Sequence, residues 1–407
     1  MVSFSPAMLI SFHYIHYTLN FPGDHLENLP MKDLHTTWES SRTWRDMALI
    51  ISNVLPLLGE GGARAAHRAL GSLDFGSLDR LRGYHLLPLI FREVARRGLE
   101  KELPQAVFAE LRRAYLLAFQ EAAGQEAEIP QVLTALGRAG IEAIVLKGAD
   151  VRHRLYHDPA VRPMADMDLL IPRARLREAE EILVQMGYLP LSEPRPGFVE
   201  KFENEMTLRP VPGKCLRVDL HFEELRALGP CYRLPYPRLA AMAQTLDLAG
   251  LEAKVLAPEH VLIHLSLHTF QDFTIFGPVA IPLIDLSLAL ARLPVDWDFF
   301  LAESARFQCQ GPVYLMLRAL TSLPGVAVPA EVLDCLGQYR PSWQERLILQ
   351  RLGYLSIHLA SLYRHRRLSD WAFFFWSKLF PQQIYTREHC GSVEARLRAF
   401  LKKLFSM

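Results

Sequence analysis

Apolar residues recur every three or four positions from about Thr43 to Gly137. Within that span, "ELPQAVFAELRRAYLLAFQEAAGQEAEIPQVLTALGRAG" predicts amphipathic helix, and Gly140 makes a fitting C-terminal stop. The period then changes. "IEAIVLKG" is a short β-branched run ending in glycine, which predicts a buried strand, and "ADVRHRLYHD" predicts a helix whose first turn follows Gly148. "ADMDLLIP" reads as a second strand closed by Pro172. "RARLREAEEILVQMGY" places Leu176, Ala179, Ile182, Leu183 and Met186 on one helical stripe. "FVEKFENEMTLRPVPGKCLRVDLHFE" predicts two strands joined by a Pro-Gly turn. After about Pro258 the pattern is helical again, broken at prolines 278, 282, 294, 324, 329, 341 and 381.

These elements predict an α+β protein with a small mixed β-sheet core flanked by N- and C-terminal helical regions. The expected division is an extension without a readable element at 1–42, a helical region at 43–137, the sheet core at 138–257 and a second helical region at 258–407. The opening "MVSFSPAMLISFHYIHYTLNF" is apolar but lacks a basic start and a small-residue cleavage site, so it reads as an extension and not a signal peptide. Half of the 407 residues are hydrophobic, 22% are charged, and the net charge is +1. That balance excludes a disordered chain and gives no strong nucleic-acid signal. The five cysteines are scattered, with no Cys-x-x-Cys, which argues against a zinc site or disulfide framework and fits a reducing cytoplasm. "GPVAIPLIDLSLALARL" carries Asp285, Arg292 and two prolines, too interrupted for the roughly 20 apolar residues of a membrane span.

Candidate chemistry gathers in the middle third. Alternate residues of a strand share a face, so Asp166 and Asp168 project together from an otherwise apolar run. Two like charges so close repel unless a cation lies between them. Gly148 ends one strand just before a helix, where free backbone N–H groups and the helix dipole suit a phosphate. Asp219, in "LRVDLHF", lies on a later strand from which it can reach the same face. Three carboxylates beside a phosphate cradle suit two-metal phosphoryl or nucleotidyl transfer, with Mg²⁺ (or Mn²⁺) bound through oxygen ligands.

A Gly-small turn after a strand, then Asp-x-Asp, then a third Asp resembles the DNA polymerase β-like nucleotidyltransferase superfamily. "VLKG…Y…RPMADMDLLI…GY…VDLH" is similar, more closely, to a bacterial family of uncharacterised nucleotidyltransferases within it. The motif-bearing match runs from Ile144 to His221, and "YHLLPLI" and "PEHVLIHLSLH" extend the likeness into both flanks. The resemblance implies transfer of a nucleoside monophosphate from ATP or another NTP to an unknown acceptor, a small molecule or a protein. It implies that Asp166, Asp168 and Asp219 bind the metals and that Gly148 and Ala149 cradle the triphosphate. Ala149 departs from the superfamily pattern, because it offers no hydroxyl and leaves only backbone to meet phosphate. Two alternatives stay open: a catalytically silent nucleotide-binding or scaffold protein of the same fold, and a protein-modifying or toxin–antitoxin nucleotidyltransferase.

Other residues carry competing readings. Lys147 and Arg162 are either solvated loop charges or nucleotide-binding cations that neutralise phosphate. His221 shares a face with Asp219 and is either a hydrogen-bonded strand histidine or a substrate-positioning one. His260, His264 and His268 form a stripe at intervals of four. Packing on a polar seam, zinc binding, or lining of the cleft by His264 and His268 are its readings, with Asp285 a candidate partner for one of them. "RHRR" at 364–367 reads as a solvated helix end or a basic patch. "SDWAFFFWSKLF" and "SVEARLRAFLKKLF" read as helices packed on the core or lying on a membrane surface.

Overall fold

A computed structural model describes residues 30–33, 42–58, 70–71, 75–227, 232–276, 279–342, 345, 349, 368–380 and 382. Most of the 1–42 extension, the basic cluster at 364–367 and the segment 392–405 therefore lie outside the described residues.

Helices α1 (Arg42–Leu58), α2 (Phe75–Gly83) and α3 (Leu87–Arg96) lead into α4 (Gln105–Arg138), which continues through Pro130. α4 stops where Gly140 adopts a positive φ of 70°, the left-handed turn that the sequence placed there. Strand β1 (Ile144–Val145) is followed at once by α5 (Lys147–Leu155), then by β2 (Asp166–Ile171), α6 (Leu176–Gln185) and β3 (Tyr188–Pro190). A short helix α7 (Phe198–Phe202) precedes β4 (Glu205–Pro210) and β5 (Arg217–Phe222). β6 (Glu224–Ala227) and β7 (Tyr232–Pro235) form a separate two-stranded ribbon. Then come α8 (Tyr236–Met242), β8 (Gln244–Leu248) and β9 (Leu251–Val255).

The main sheet has the order β3-β4-β5-β2-β1-β9-β8. β2 runs parallel to β5 and β1 runs parallel to β9, while the other pairings are antiparallel, so the sheet is mixed as expected. It is larger than the sequence pattern suggested. β3, the β6–β7 ribbon and the β8–β9 hairpin are additions, and Gly148 sits inside the first turn of α5 instead of ending a strand.

One sheet face is apolar. Met167, Leu169 and Ile171 of β2 and Val218, Leu220 and Phe222 of β5 pack with Ile129, Val132 and Leu136 of α4 and Leu176, Ala179 and Leu183 of α6. The strands alternate, so the facing polar residues go to the other side. There the C-terminal helices gather: α9 (Pro258–Phe276), α10 (Ala280–Arg292), α11 (Trp297–Arg306), α12 (Gln310–Leu320) and α13 (Ala330–Gly337). They share one apolar core with α1 to α3, including Trp44, Ile51, Ile90, Leu262, Leu283 and Leu317. The two helical regions, distant in sequence, thus pack as one body beside the sheet. A last described helix, α14 (Leu368–Leu379), sets Phe374 against Phe198 and Phe202. Among the described residues no helix is long and apolar enough to cross a membrane, and Cys215, Cys309 and Cys335 are free thiols.

Candidate active site

β2 and β5 are in register, so Asp168 stands directly beside Asp219, and Asp166 beside Arg217. Neighbouring strands are about 4.8 Å apart, and in-register residues point the same way. Asp166, Asp168 and Asp219 therefore share the polar face. β4 adds to it, because its antiparallel register puts Thr207 beside Asp219 and Glu205 beside His221.

The repulsion between these carboxylates is relieved by protein cations. Lys147 Nζ donates to Asp168 Oδ1 at 3.0 Å, and His221 Nε2 approaches the same oxygen at 2.9 Å. Arg217 donates to Asp219 Oδ2 at 3.0 Å and also to Asp166 Oδ2. Burial pushes the Asp168 carboxyl up, but Lys147 and His221 outweigh it and hold the group well below the usual range. Asp219 goes the other way: burial first and the Glu205 charge second push it to about 6. Asp166 is raised by burial and by Asp168. Thr207 stands against the Asp219 carboxylate, yet Asp219 Oδ1 is buried without a hydrogen bond of ordinary geometry.

Lys147 is neither a loop charge nor well solvated. It opens α5 with a φ of 39°, a left-handed conformation uncommon outside glycine. Its ammonium group is raised in pKa, since Asp168 and Glu205 outweigh the lowering effect of burial. Behind it, Gly148 is packed tightly. A Cβ there would lie 2.9 Å from both Arg162 Nη1 and Met164 Cγ. Gly148 and Ala149 are buried in the first turn of α5, and the residue before that turn is tied to β2, where Leu146 N–H donates to the Asp168 carbonyl at 3.0 Å.

Arg162 is placed differently from the carboxylate cluster. Its guanidinium pairs with Asp285 of α10, Nη2 to Oδ2 at 2.7 Å, and Tyr156 donates to Asp285 Oδ1 at 2.7 Å. The expectation that Asp285 serves a histidine is thereby corrected: these two donors are its partners. Among the histidines, His260 is buried against Glu303 at 3.0 Å. His268 meets Asp272 at 3.1 Å, and its ring lies 6.3 Å from that of His264. Burial and then Lys147, with His268 and His221, lower the His264 pKa well below its usual value, so His264 meets the polar face as a neutral ring.

Three residues of the face escaped the sequence reading: Arg217, Glu205 and Thr207. Arg217 was accessible by the alternation that found Asp219, two positions on. Glu205 and Thr207 lie on the first strand of the expected Pro-Gly hairpin, and the β4–β5 register sets them beside His221 and Asp219.

The donor set is all oxygen, with one buried carboxylate oxygen unpartnered, which fits a hard divalent cation. Among the described residues no three His, Cys, Asp or Glu side chains converge to metal-ligand geometry; Lys147 and Arg217 stand between the carboxylates instead.

No curated protein sequence matches the chain. Among solved structures it is similar to the antibiotic-resistance factor ANT(2'')-Ia in solution, 13% identical over 62% of this chain and 98% of that one, with a TM-score of 0.26. A crystal structure of ANT(2'')-Ia in complex with adenylyl-2''-tobramycin gives 13% identity, 59% and 95% coverage, and 0.26. An antigenic nucleotidyltransferase-like protein from Paracoccidioides brasiliensis gives 16%, 49% and 94%, and 0.29. Such loose superpositions carry no statement about activity. The sequence profile described as uncharacterised nucleotidyltransferase matches residues 78–324. Matched over more than half its length, the chain belongs to this uncharacterised nucleotidyltransferase family.

Proposed function

We propose that the polar face of β2, β5 and β4 transfers a nucleoside monophosphate from an NTP to an acceptor hydroxyl or phosphate. The observation that carries the reading is the in-register pairing of Asp168 with Asp219, with Asp166 on the same face and the start of α5 beside it. Asp166, Asp168 and Asp219 would hold Mg²⁺ or Mn²⁺, which would supply charge neutralisation for the triphosphate and acidify the acceptor. Backbone N–H groups at Gly148 and Ala149 bind phosphate oxygens at the positive end of α5. Lys147, at that same end, adds a positive charge. The acceptor oxygen bonds to the α-phosphorus as the bond to the bridging oxygen breaks, and pyrophosphate leaves with the electron pair. Asp219, on the face beside the acceptor, takes the acceptor proton and passes it to solvent.

One observation favours a second reading, nucleotide binding without transfer: Lys147 and Arg217 already satisfy much of the carboxylate charge. Pyrophosphate release with the four NTPs separates the two. Asp219→Ala should leave Mg·NTP binding nearly intact and cut release by about 10²–10³, or roughly 3–4 kcal/mol. Wild-type protein that binds Mg·NTP but releases no pyrophosphate with any acceptor supports the silent reading. Wild-type turnover in Asp219→Ala removes Asp219 from the mechanism.

A further inference from the structure

We infer that Asp285, on a helix outside the sheet, is a positioning residue that sets the phosphate-binding turn of α5. The inference rests on the nucleotidyl-transfer reading and deepens it. Asp285 is 1% exposed, meets the residue that caps the C-terminal end of α5, and pairs with Arg162, whose guanidinium lies against Gly148 near the N-terminal end. At the C-terminal end, Tyr156 caps the helix and donates to Oδ1 at 2.7 Å. At the N-terminal end the connection runs through Arg162, whose Nη2 and Nε reach Oδ2 at 2.7 and 3.2 Å.

Arg162 is therefore not free to follow a phosphate. Its guanidinium is held flush behind Gly148, so close that a Cβ there would come within 2.9 Å of Nη1. Its backbone is fixed too, since Arg152 of α5 donates from Nε to the Arg162 carbonyl at 3.1 Å. One carboxylate on α10 thus ties the C-terminal end of α5 to the side chain packed against its first turn.

The backbone at Lys147 supplies the reason that such a brace is needed. A non-glycine residue at φ 39° is held there only if its surroundings over-determine it. Pinning α5 at both ends does so. Release of the pin lets Lys147 relax, and the amide groups of Gly148 and Ala149 lose their aim. The neutral pair also explains why a buried arginine can sit beside a phosphate site without capturing the phosphate itself.

The test is equilibrium binding of Mg·ATP and of inorganic tripolyphosphate to the full chain, alongside pyrophosphate release at saturating ATP. Asp285→Asn should weaken both ligands alike by about 10- to 100-fold, the scale seen when an orienting partner is lost. Turnover at saturating ATP should stay within a few-fold of wild type, a KM effect without a kcat effect. Tyr156→Phe keeps the Arg162–Asp285 pair and removes one bond, so it should fold normally and show a smaller loss in the same direction. That variant decides the matter if Asp285→Asn does not fold. Wild-type binding with unchanged affinity in these variants, or a loss confined to kcat, overturns this inference alone. Wild-type protein that binds neither ligand overturns the transfer reading and this inference with it.

Discussion

Neutralising Asp168 and neutralising Asp219 should have opposite effects on the stability of the metal-free chain. Like-charge repulsion alone suggests that losing either carboxylate relieves the fold, but the partners differ. Asp168 is buried and accepts from Lys147 and His221. Asp168→Asn leaves the Lys147 ammonium without its counter-charge, and breaking such a pair costs about 3–5 kcal/mol. The amide oxygen still accepts one hydrogen bond, so a loss of about 2–4 kcal/mol is expected. Asp219 is 3% exposed and its pKa stands at about 6 against an ordinary 3.8. Holding it ionised at neutral pH costs the fold about 3 kcal/mol. Asp219→Asn removes that cost and weakens only its contacts with Thr207 and the half-exposed Arg217, the latter worth about 1 kcal/mol or less.

The sign with pH follows. Between about pH 4 and 6 the unfolded chain releases the Asp219 proton before the folded chain does, so rising pH destabilises the fold across that window. Asp168, held low, contributes stability above its ordinary value that is lost as pH falls below it. Denaturant titrations in EDTA at neutral pH should rank Asp219→Asn at or above wild type and Asp168→Asn below both. Asp219→Asn should also flatten the pH 4–6 slope. Equal midpoints, or Asp219→Asn as the weakest, would falsify the charge assignment.

Three further outcomes are expected. Gly148→Ala should cost about 1–3 kcal/mol through its contact with Arg162 and Met164, and should weaken NTP binding as measured by calorimetry. Arg217→Ala removes the cation between Asp166 and Asp219 and should tighten Mg²⁺ binding; a weaker Mg²⁺ isotherm would show that Arg217 does not compete for the site. Glu303 is pushed up by burial but held at about 2 by Arg238, His260 and Arg306, so its stabilisation is lost as pH falls from about 4.5 to 2. Glu303→Gln should lower stability by about 2–4 kcal/mol and shrink that acid-side slope in an acid-unfolding titration.

The shared face of Asp166 and Asp168 was legible because strand alternation is local, and Gly140 was legible because helix stops are local too. Helical periodicity also separated both flanks from the sheet. What the sequence concealed depends on register and long-range contact. β9 completes the sheet beside β1 from more than a hundred residues away, and nothing in "LEAKV" marks it as a parallel neighbour. Glu205 joins the face only through the β4–β5 register. The partner that Arg162 meets, Asp285, comes from the C-terminal helices more than a hundred residues on, which no local pattern announces. The membrane-like run around Asp285 is apolar because it is helix-packed core, and its one buried carboxylate is occupied by Arg162 and Tyr156.

The central claim is nucleotidyl transfer at these carboxylates, and the fate of the phosphates tests it most directly. The chain should be incubated with Mg²⁺ and an NTP labelled at either the α- or the γ-phosphorus, with small-molecule and protein fractions as acceptors. The account predicts α-label on an acceptor and γ-label in pyrophosphate, with both products absent in Asp166→Asn. Transfer of γ-label to the acceptor, or α-label incorporation that survives in Asp166→Asn, would contradict it.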